Sequence, residues 1–289
     1  MSQTTDSKPV FDERKWAVLE RRAQELRAAE AFRIFRSHDI EPILIKGLAA
    51  AYNYPVERSR TSVDMDLAVA SNDLSRAKEL CKNLHSTGLA IDLHNELRHL
   101  DSTPWPDLFE NSVLVNIDDT QLRFLRPEDH LRVLCLHWLT DGGKWKARLW
   151  DIYYLVQNRT PDFDWDRVLQ IVSERRRRWL ICTLGLAEKH LGLDLTGTPV
   201  AGAGNQLPNW LVRTIEREWA DETPIIPLSS CRRDLGLLMS QIRKRIPPNP
   251  IQATIDVEGS FDARTRLGYQ IASAIKRTLH ASRMSPQPS

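Results

Sequence analysis

The chain has 289 residues, of which 42% are hydrophobic, and its 40 Lys and Arg residues nearly balance 38 Asp and Glu residues to give a net charge of +2. That apolar fraction excludes a wholly disordered chain. The small net charge argues against DNA or an anionic membrane as the main partner, although a local basic groove for tRNA stays open. Four widely separated cysteines exclude a disulfide scaffold. Because the sequence has no signal-peptide pattern and no apolar run of about 18–20 residues, we predict a cytoplasmic protein without a membrane segment.

The first half of the chain alternates between helical and extended patterns. Apolar residues at three- and four-residue spacing predict a long helix over 14–38. A short helix follows Gly47, and a third helix with an Asn72 or Asp73 N-cap runs to Leu84. Short apolar or alternating runs predict five strands, the last two forming a hairpin: Ile43–Ile45, Val63–Val69, Leu89–Leu93, Val113–Ile117 and Gln121–Leu125.

The pattern after Arg126-Pro127 is helical to residue 279. The predicted helices cover 128–140, 144–157, 165–191, 209–220, 230–245 and 262–279. The sequence therefore predicts an α+β protein, with an α/β domain over 13–126 and a helical domain over 127–281. The polar ends, 1–12 and 282–289, are predicted to be disordered.

Two stretches of the chain alternate acidic and other residues. Asp162, Asp164 and Asp166 precede a helical pattern, where N-capping and the helix dipole explain them. Asp64 and Asp66 instead lead into the apolar run 67–69 of a predicted core strand. Carboxylates on such a strand are costly to desolvate unless they bind cations, so this pair indicates a metal site.

A third acid, Asp92, lies between apolar residues on a separate predicted strand. If that strand lies beside the one carrying Asp64 and Asp66, three carboxylates converge. Such hard oxygen ligands suit Mg²⁺ or Mn²⁺. Two ions about 3.5–4 Å apart can activate a hydroxyl and stabilise leaving pyrophosphate.

Gly47 follows a buried strand and opens the small-residue helix of sequence LAAAY. A glycine at that point lets main-chain N–H groups approach phosphate oxygens. The strand–glycine–helix unit, the D-x-D strand and a later strand acid together resemble the layout of the DNA polymerase β-like nucleotidyltransferases.

A narrower resemblance covers about residues 15–160. The motifs L-x-K-G, R-x-x-x-D-x-D, D-x-H and a later P-x-D-x-L…H…D are similar to those of an uncharacterised nucleotidyltransferase family of bacterial genomes. The matching positions are Lys46, Gly47, Arg60, Asp64, Asp66, Asp92, His94, Pro127, Asp129, Leu131, His137 and Asp151. The resemblance implies a small mixed sheet with flanking helices, followed by an all-helical domain, with substrates between them.

The resemblance also implies an activity, the transfer of a nucleoside monophosphate from an NTP, with ATP as the expected donor, to an acceptor on a small molecule, peptide or protein. Asp64, Asp66 and Asp92 would be the catalytic and metal-binding residues. Lys46, Gly47, Arg60 and His94 are candidates for binding the nucleotide. This chain departs from the superfamily at Leu48, where a serine or glycine is usual.

Other residues allow two interpretations. His94 shares a face with Asp92, so it could orient that acid, touch a phosphate, act as a base or be structural. Lys144 and Arg148 lie on one helix face and could grip a triphosphate, or Arg148 could form a surface ion pair with Asp151.

Two alternatives to this nucleotidyltransferase activity remain open. The chain could be a non-catalytic nucleotide- or partner-binding protein with the same fold, or a toxin that modifies tRNA or protein.

Overall fold

The computed structural model describes residues 13–56, 58, 60, 62, 64–84, 88–97, 99–221, 223, 226–231 and 234–284. The predicted disordered segment 1–12, the last five residues of the predicted tail 282–289, and Val63 of the second predicted strand lie outside these residues. The chain divides into two compact units, of which one ends at His130 and the other begins at Leu131. The predicted domain boundary lies four residues earlier, at Pro127. A helix begins at that residue and continues past the observed boundary.

The first unit contains a mixed five-stranded sheet in the order β3-β2-β1-β5-β4. Its strands are β1 (Ile43–Leu44), β2 (Met65–Val69), β3 (Ile91–Asn95), β4 (Val113–Ile117) and β5 (Thr120–Phe124). β2 runs parallel to β3 and antiparallel to β1, β1 runs parallel to β5, and β4 and β5 form the predicted hairpin. The predicted α+β class with a mixed sheet is confirmed.

Four helices accompany this sheet: α1 (Glu13–Arg36), α2 (Leu48–Ala51), α3 (Leu74–Leu84) and α4 (Trp105–Glu110). α3 is the crossover that two parallel neighbours, β2 and β3, require. Phe32 and Phe35 of α1 share one core cluster with Leu67 and Val69 of β2. Since side chains alternate along a strand, Asp66 lies on the face of β2 opposite this core. The sequence did not predict α4, because six residues are too few to establish a helical period.

The register of β2 and β3 positions the candidate site. Asp66 pairs with Asp92, and Ala68 pairs with His94. β3 begins two residues later than predicted and continues to Asn95, so His94 lies within the strand. Asp66, Asp92 and His94 therefore share one face of two adjacent strands.

The elements described after the sheet are helices and 3₁₀ turns. They are α5 (Pro127–Thr140), α6 (Lys146–Gln157), α7 (Trp165–Leu169), α8 (Glu174–Leu191), α9 (Asn209–Ala220), α10 (Leu235–Arg245), α11 (Pro250–Asp256) and α12 (Leu267–Met284), with 3₁₀ turns at Ala203–Gln206 and Leu228–Cys231. Among the described helices, none combines the length and the apolar character needed to span a bilayer.

Several boundaries in this part differ from the sequence prediction. α10 and α12 each begin five residues later than predicted, and α12 continues to Met284, into the predicted disordered tail. The helix predicted over 165–191 is interrupted before α8, where the Ser173 hydroxyl accepts a hydrogen bond from the main-chain N–H of Arg176 and starts a new helix. α11 falls in a predicted proline loop. Asn249 caps it by accepting from the N–H groups of Ile251 and Gln252, directly after Pro247-Pro248.

Candidate active site

Two carboxylates face the same side of the sheet on neighbouring parallel strands. Asp66 is buried, at 7% exposure, whereas the Asp92 side chain is about half exposed, at 52%. The imidazole of His94 lies between them, with its Nε2 3.3 Å from Asp66 Oδ1 and 3.3 Å from Asp92 Oδ2. The three side chains thus form one cluster with a buried end at Asp66 and a solvent-facing end at Asp92.

Lys46 closes the buried end of this cluster. Its Nζ is 2.7 Å from Asp66 Oδ1, and both side chains are less than 10% exposed. The N–H of Ile45 donates to the main-chain oxygen of Asp66 at 3.2 Å, so the sheet itself holds Lys46 beside its partner. A buried ion pair of this kind persists only with close geometry and further hydrogen bonds, and His94 supplies one of them.

The environment of Asp66 keeps it ionised. Burial on its own would raise the pKa of this carboxyl, but the hydrogen bond from His94 and the charge and hydrogen bond of Lys46 outweigh it, and the pKa is lowered. A carboxylate that stays charged in a buried position is available as a ligand for a cation at neutral pH.

The donor set fits a divalent cation. One ligand atom each from Asp66, Asp92 and His94 lies within 4.8 Å of the others. Carboxylate oxygens suit both Mg²⁺ and Mn²⁺, and an imidazole nitrogen is a better ligand for Mn²⁺ than for Mg²⁺. His94 is not among the metal ligands predicted from the sequence, although its position two residues after Asp92 is a signal for such a role.

The structure does not bring Asp64 into this cluster. Asp64 is exposed, lies in a bend immediately before β2, and is outside the group of ligand atoms found among the described residues. The two-residue alternation that would align it with Asp66 applies only within a strand, and β2 begins at Met65. A role for Asp64 as a metal ligand stays a prediction.

Gly47 has the backbone conformation for which a glycine is needed. Its φ is +53°, and a β-carbon there would come within 3.0 Å of the Ser62 hydroxyl oxygen. The next residue, Leu48, is buried in the core of the first unit, which accounts for an apolar residue at this position. Arg60 lies half-buried in the loop before β2. Nucleotide contacts by Gly47 and Arg60 stay predictions.

Lys144 and Arg148 belong to the second unit. Arg148 lies in the first turn of α6, whereas Lys144 lies two residues before the helix, so the prediction that both lie on one helix face is wrong. Arg148 forms an ion pair with Asp141. The alternative partner suggested by the sequence, Asp151, is buried at 3% exposure. Triphosphate binding by Lys144 and Arg148 stays a prediction.

Comparison with curated proteins of known function finds no match. A family described as an uncharacterised nucleotidyltransferase has a sequence model that matches residues 10–192. The match covers more than half of the 289 residues and includes the Lys46, Asp66, Asp92 and His94 cluster. The chain therefore belongs to this nucleotidyltransferase family.

Proposed function

We propose that this protein is a metal-dependent nucleotidyltransferase that moves a nucleoside monophosphate from an NTP to a hydroxyl or similar acceptor on a small molecule, peptide or protein and releases pyrophosphate. The observation that carries the proposal is the in-register pair Asp66 and Asp92 with His94 between them. We also propose that the catalytic domain has the polymerase β-like fold and that an all-helical domain follows it.

Asp66, Asp92 and His94 would hold the divalent cation, Mg²⁺ or Mn²⁺, and Asp64 is a further ligand candidate. A bound cation at such a site neutralises phosphate charge and lowers the pKa of a nearby hydroxyl or water. Two-metal catalysis would need oxygen ligands beyond these three, from the nucleotide, from water or from Asp64.

The exposed and the buried residues of the cluster have different proposed roles. Asp92 is on the solvent side, where it can accept a hydrogen bond from an acceptor hydroxyl. Lys46 carries its charge at the buried end, where it fixes the position of the Asp66 carboxylate. Catalysis of this kind depends on electrostatic positioning more than on covalent chemistry by the protein.

The Lys46–Asp66 ion pair also favours a second candidate, a nucleotide-binding protein without catalytic activity. An ammonium group at 2.7 Å from Asp66 Oδ1 neutralises that carboxylate without any metal. In such a protein, the cluster would be a structural network of charges. Metal binding by the cluster separates the two candidates.

The decisive experiment is titration of the full chain with Mn²⁺, followed by EPR, in the presence and absence of ATP. Asp92→Asn is the informative variant, because Asp92 is half exposed and its loss leaves the buried ion pair intact. Loss of one carboxylate ligand is expected to weaken Mn²⁺ binding by at least about tenfold. Release of pyrophosphate from ATP with candidate acceptors then reports the transfer itself.

The matched control is Asp164→Asn, the same substitution in the other acidic alternation of the chain. Its Mn²⁺ affinity should equal that of the wild type. Equal Mn²⁺ binding by the wild type and Asp92→Asn, or no Mn²⁺ binding by the wild type with ATP present, would reject the metal-dependent enzyme and favour the second candidate.

A further inference from the structure

The last helix of the second unit exposes its apolar face. On α12, Leu267, Ile271, Ile275 and Leu279 follow one another at four-residue spacing and form a single apolar row. Each of these four side chains is 53–60% exposed. A helix at the surface of a folded protein normally turns such a row toward the core.

Polar contacts hold the opposite side of α12 against the protein. Ser273 is fully buried, and its hydroxyl donates to Asp256 Oδ2 at 2.6 Å. Arg277 Nε donates to the same oxygen at 2.8 Å, and Lys276 Nζ donates to the main-chain oxygen of Asp256 at 2.6 Å. Turning the apolar row inward would break these bonds, so the outward direction of the row is fixed by the contacts with α11.

The positions beside the apolar row carry no charge. Gly268 and Ala272 lie on one side of it, and Ala274 and Thr278 lie on the other. The face therefore offers no charged group to a nucleic acid or to an anionic membrane surface. The surface that complements it is apolar and uncharged, as the face itself is.

The shape of the face matches a second copy of the same helix. Side chains at four-residue spacing form a ridge, and the commonest helix packing places the ridge of each helix in the groove beside the ridge of the other. On α12 the apolar row is the ridge, and the small side chains of Ala274 and Thr278 leave a groove beside it. The row also reads Leu-Ile-Ile-Leu in both directions, so it matches a copy that runs antiparallel. A face that complements itself is what a two-fold dimer requires.

Apolar side chains of α10 add to this surface. Leu235, Met239 and Ile246, within or directly after α10, are 49–75% exposed. Gln270 of α12 donates to the main-chain oxygen of Pro248 at 2.6 Å, which holds the chain just after Ile246 against α12. The apolar row itself is about 18 Å long. A contact of this length between two helices is at the low end of dimer interfaces, for which we expect a dissociation constant in the micromolar range.

We propose that α12 is the interface of a homodimer, in which the apolar row of one copy packs antiparallel against the apolar row of a second copy. Leu267 of one copy faces Leu279 of the second copy, and Ile271 faces Ile275 of the second copy. The dimer goes beyond the transfer activity proposed above and does not depend on it.

The first test is sedimentation velocity of the full chain from about 1 to 200 µM. The wild type should show a monomer–dimer equilibrium. Ile271→Lys should raise the dissociation constant at least about tenfold, because it places an unpaired charge in an apolar interface. A wild type that stays monomeric over the whole range, or equal dissociation constants for the wild type and Ile271→Lys, would overturn the proposal.

The matched control is Ile171→Lys. Ile171 is 46% exposed and lies in the bend between α7 and α8, outside the apolar row. Its replacement should leave the dissociation constant unchanged. An equal loss of dimer in Ile171→Lys would mean that added charge, and not the α12 face, controls association.

Mixing two charged variants identifies the second copy as the partner. The double variant Ile271→Glu, Ile275→Glu and the double variant Ile271→Lys, Ile275→Lys should each be monomeric, because like charges face each other in either dimer. An equimolar mixture should form a dimer, because each Glu then faces a Lys. A mixture that stays monomeric would contradict the antiparallel pairing of the two rows.

Two further measurements separate the dimer from other ways of covering the face. In urea unfolding well below the dissociation constant, Ile271→Lys should match the wild type, because the side chain is exposed in the monomer. A lower stability there would show that the chain covers its own apolar row. Pelleting of a monomeric wild type with phosphatidylglycerol vesicles, lost in Ile271→Glu, would assign the face to a membrane surface and overturn the dimer.

Discussion

Two regions of this chain carry the same acidic alternation and use it in different ways. Asp64-Met65-Asp66 precedes and enters β2, whereas Asp162, Asp164 and Asp166 surround the start of α7. Asp164 is the N-cap of that helix, since its Oδ1 accepts from the main-chain N–H of Arg167 at 3.0 Å. The capping role predicted for this second region is confirmed at Asp164.

The difference lies in burial and in the origin of the partners. Asp164 is exposed, and its cap partner is a main-chain group three residues away. Asp66 is buried, and its partners are the side chains of Lys46 and His94, which lie 20 and 28 residues away in the chain. An acid held by side chains from other elements indicates a site, whereas an acid held by its own helix indicates a cap.

The largest expected effect is that of Asp66→Asn. It removes the counter-charge of buried Lys46, and breaking a buried ion pair in this way costs about 3 kcal/mol of unfolding free energy. Lys46→Met in the same chain should recover most of the loss, because no unpaired charge then remains. Urea unfolding of the two single variants and the double variant gives the coupling free energy between Lys46 and Asp66. A loss below about 1 kcal/mol in Asp66→Asn would contradict the burial of the pair.

The pH dependence of stability tests the same difference between buried Asp66 and exposed Asp164. Burial raises the pKa of Asp66, but the hydrogen bond from His94 and the charge of Lys46 lower it further, so its pKa in the folded protein is below its ordinary value of 3.8. The stabilisation is therefore fully present above about pH 4 and is lost as the pH falls through the lowered value.

The measurement is the difference in unfolding free energy between the wild type and the Asp66→Asn, Lys46→Met double variant. That difference should stay constant from neutral pH to about pH 5 and fall below pH 4. A difference that does not change with acid would mean that the pKa of Asp66 is the same in the folded and unfolded states.

Local patterns in the sequence were enough to predict most of the first unit. The β4–β5 hairpin and α1 were found to within a few residues, because turn residues and helical spacing are local signals. The break between α7 and α8 was missed, because it depends on the Ser173 cap within an otherwise continuous helical pattern. The order of the strands in the sheet could not be predicted from local sequence patterns, since it depends on which strands pair across long stretches of chain.

The sequence predicts which residues form the candidate site better than it predicts their geometry. Spacing alone singled out Asp66, Asp92 and His94, which the structure brings together. Strand alternation predicts that Asp64 joins them, but Asp64 lies one residue before the strand begins. The ion pair between Lys46 and Asp66 joins β2 to the end of β1, and no spacing along the chain encodes a contact across strands.

The smallest expected effect is at the cap. Asp164→Ala removes the acceptor for the Arg167 N–H and should cost about 1 kcal/mol of unfolding free energy, while Asp164→Asn, which keeps a capping oxygen, should be nearly neutral. Neither variant should change Mn²⁺ affinity. Urea unfolding and Mn²⁺ titration of the same samples check both statements. A weakened Mn²⁺ affinity in Asp164→Ala would mean that burial and partner origin do not separate the two alternations, because an exposed helix cap would then contribute to the metal site.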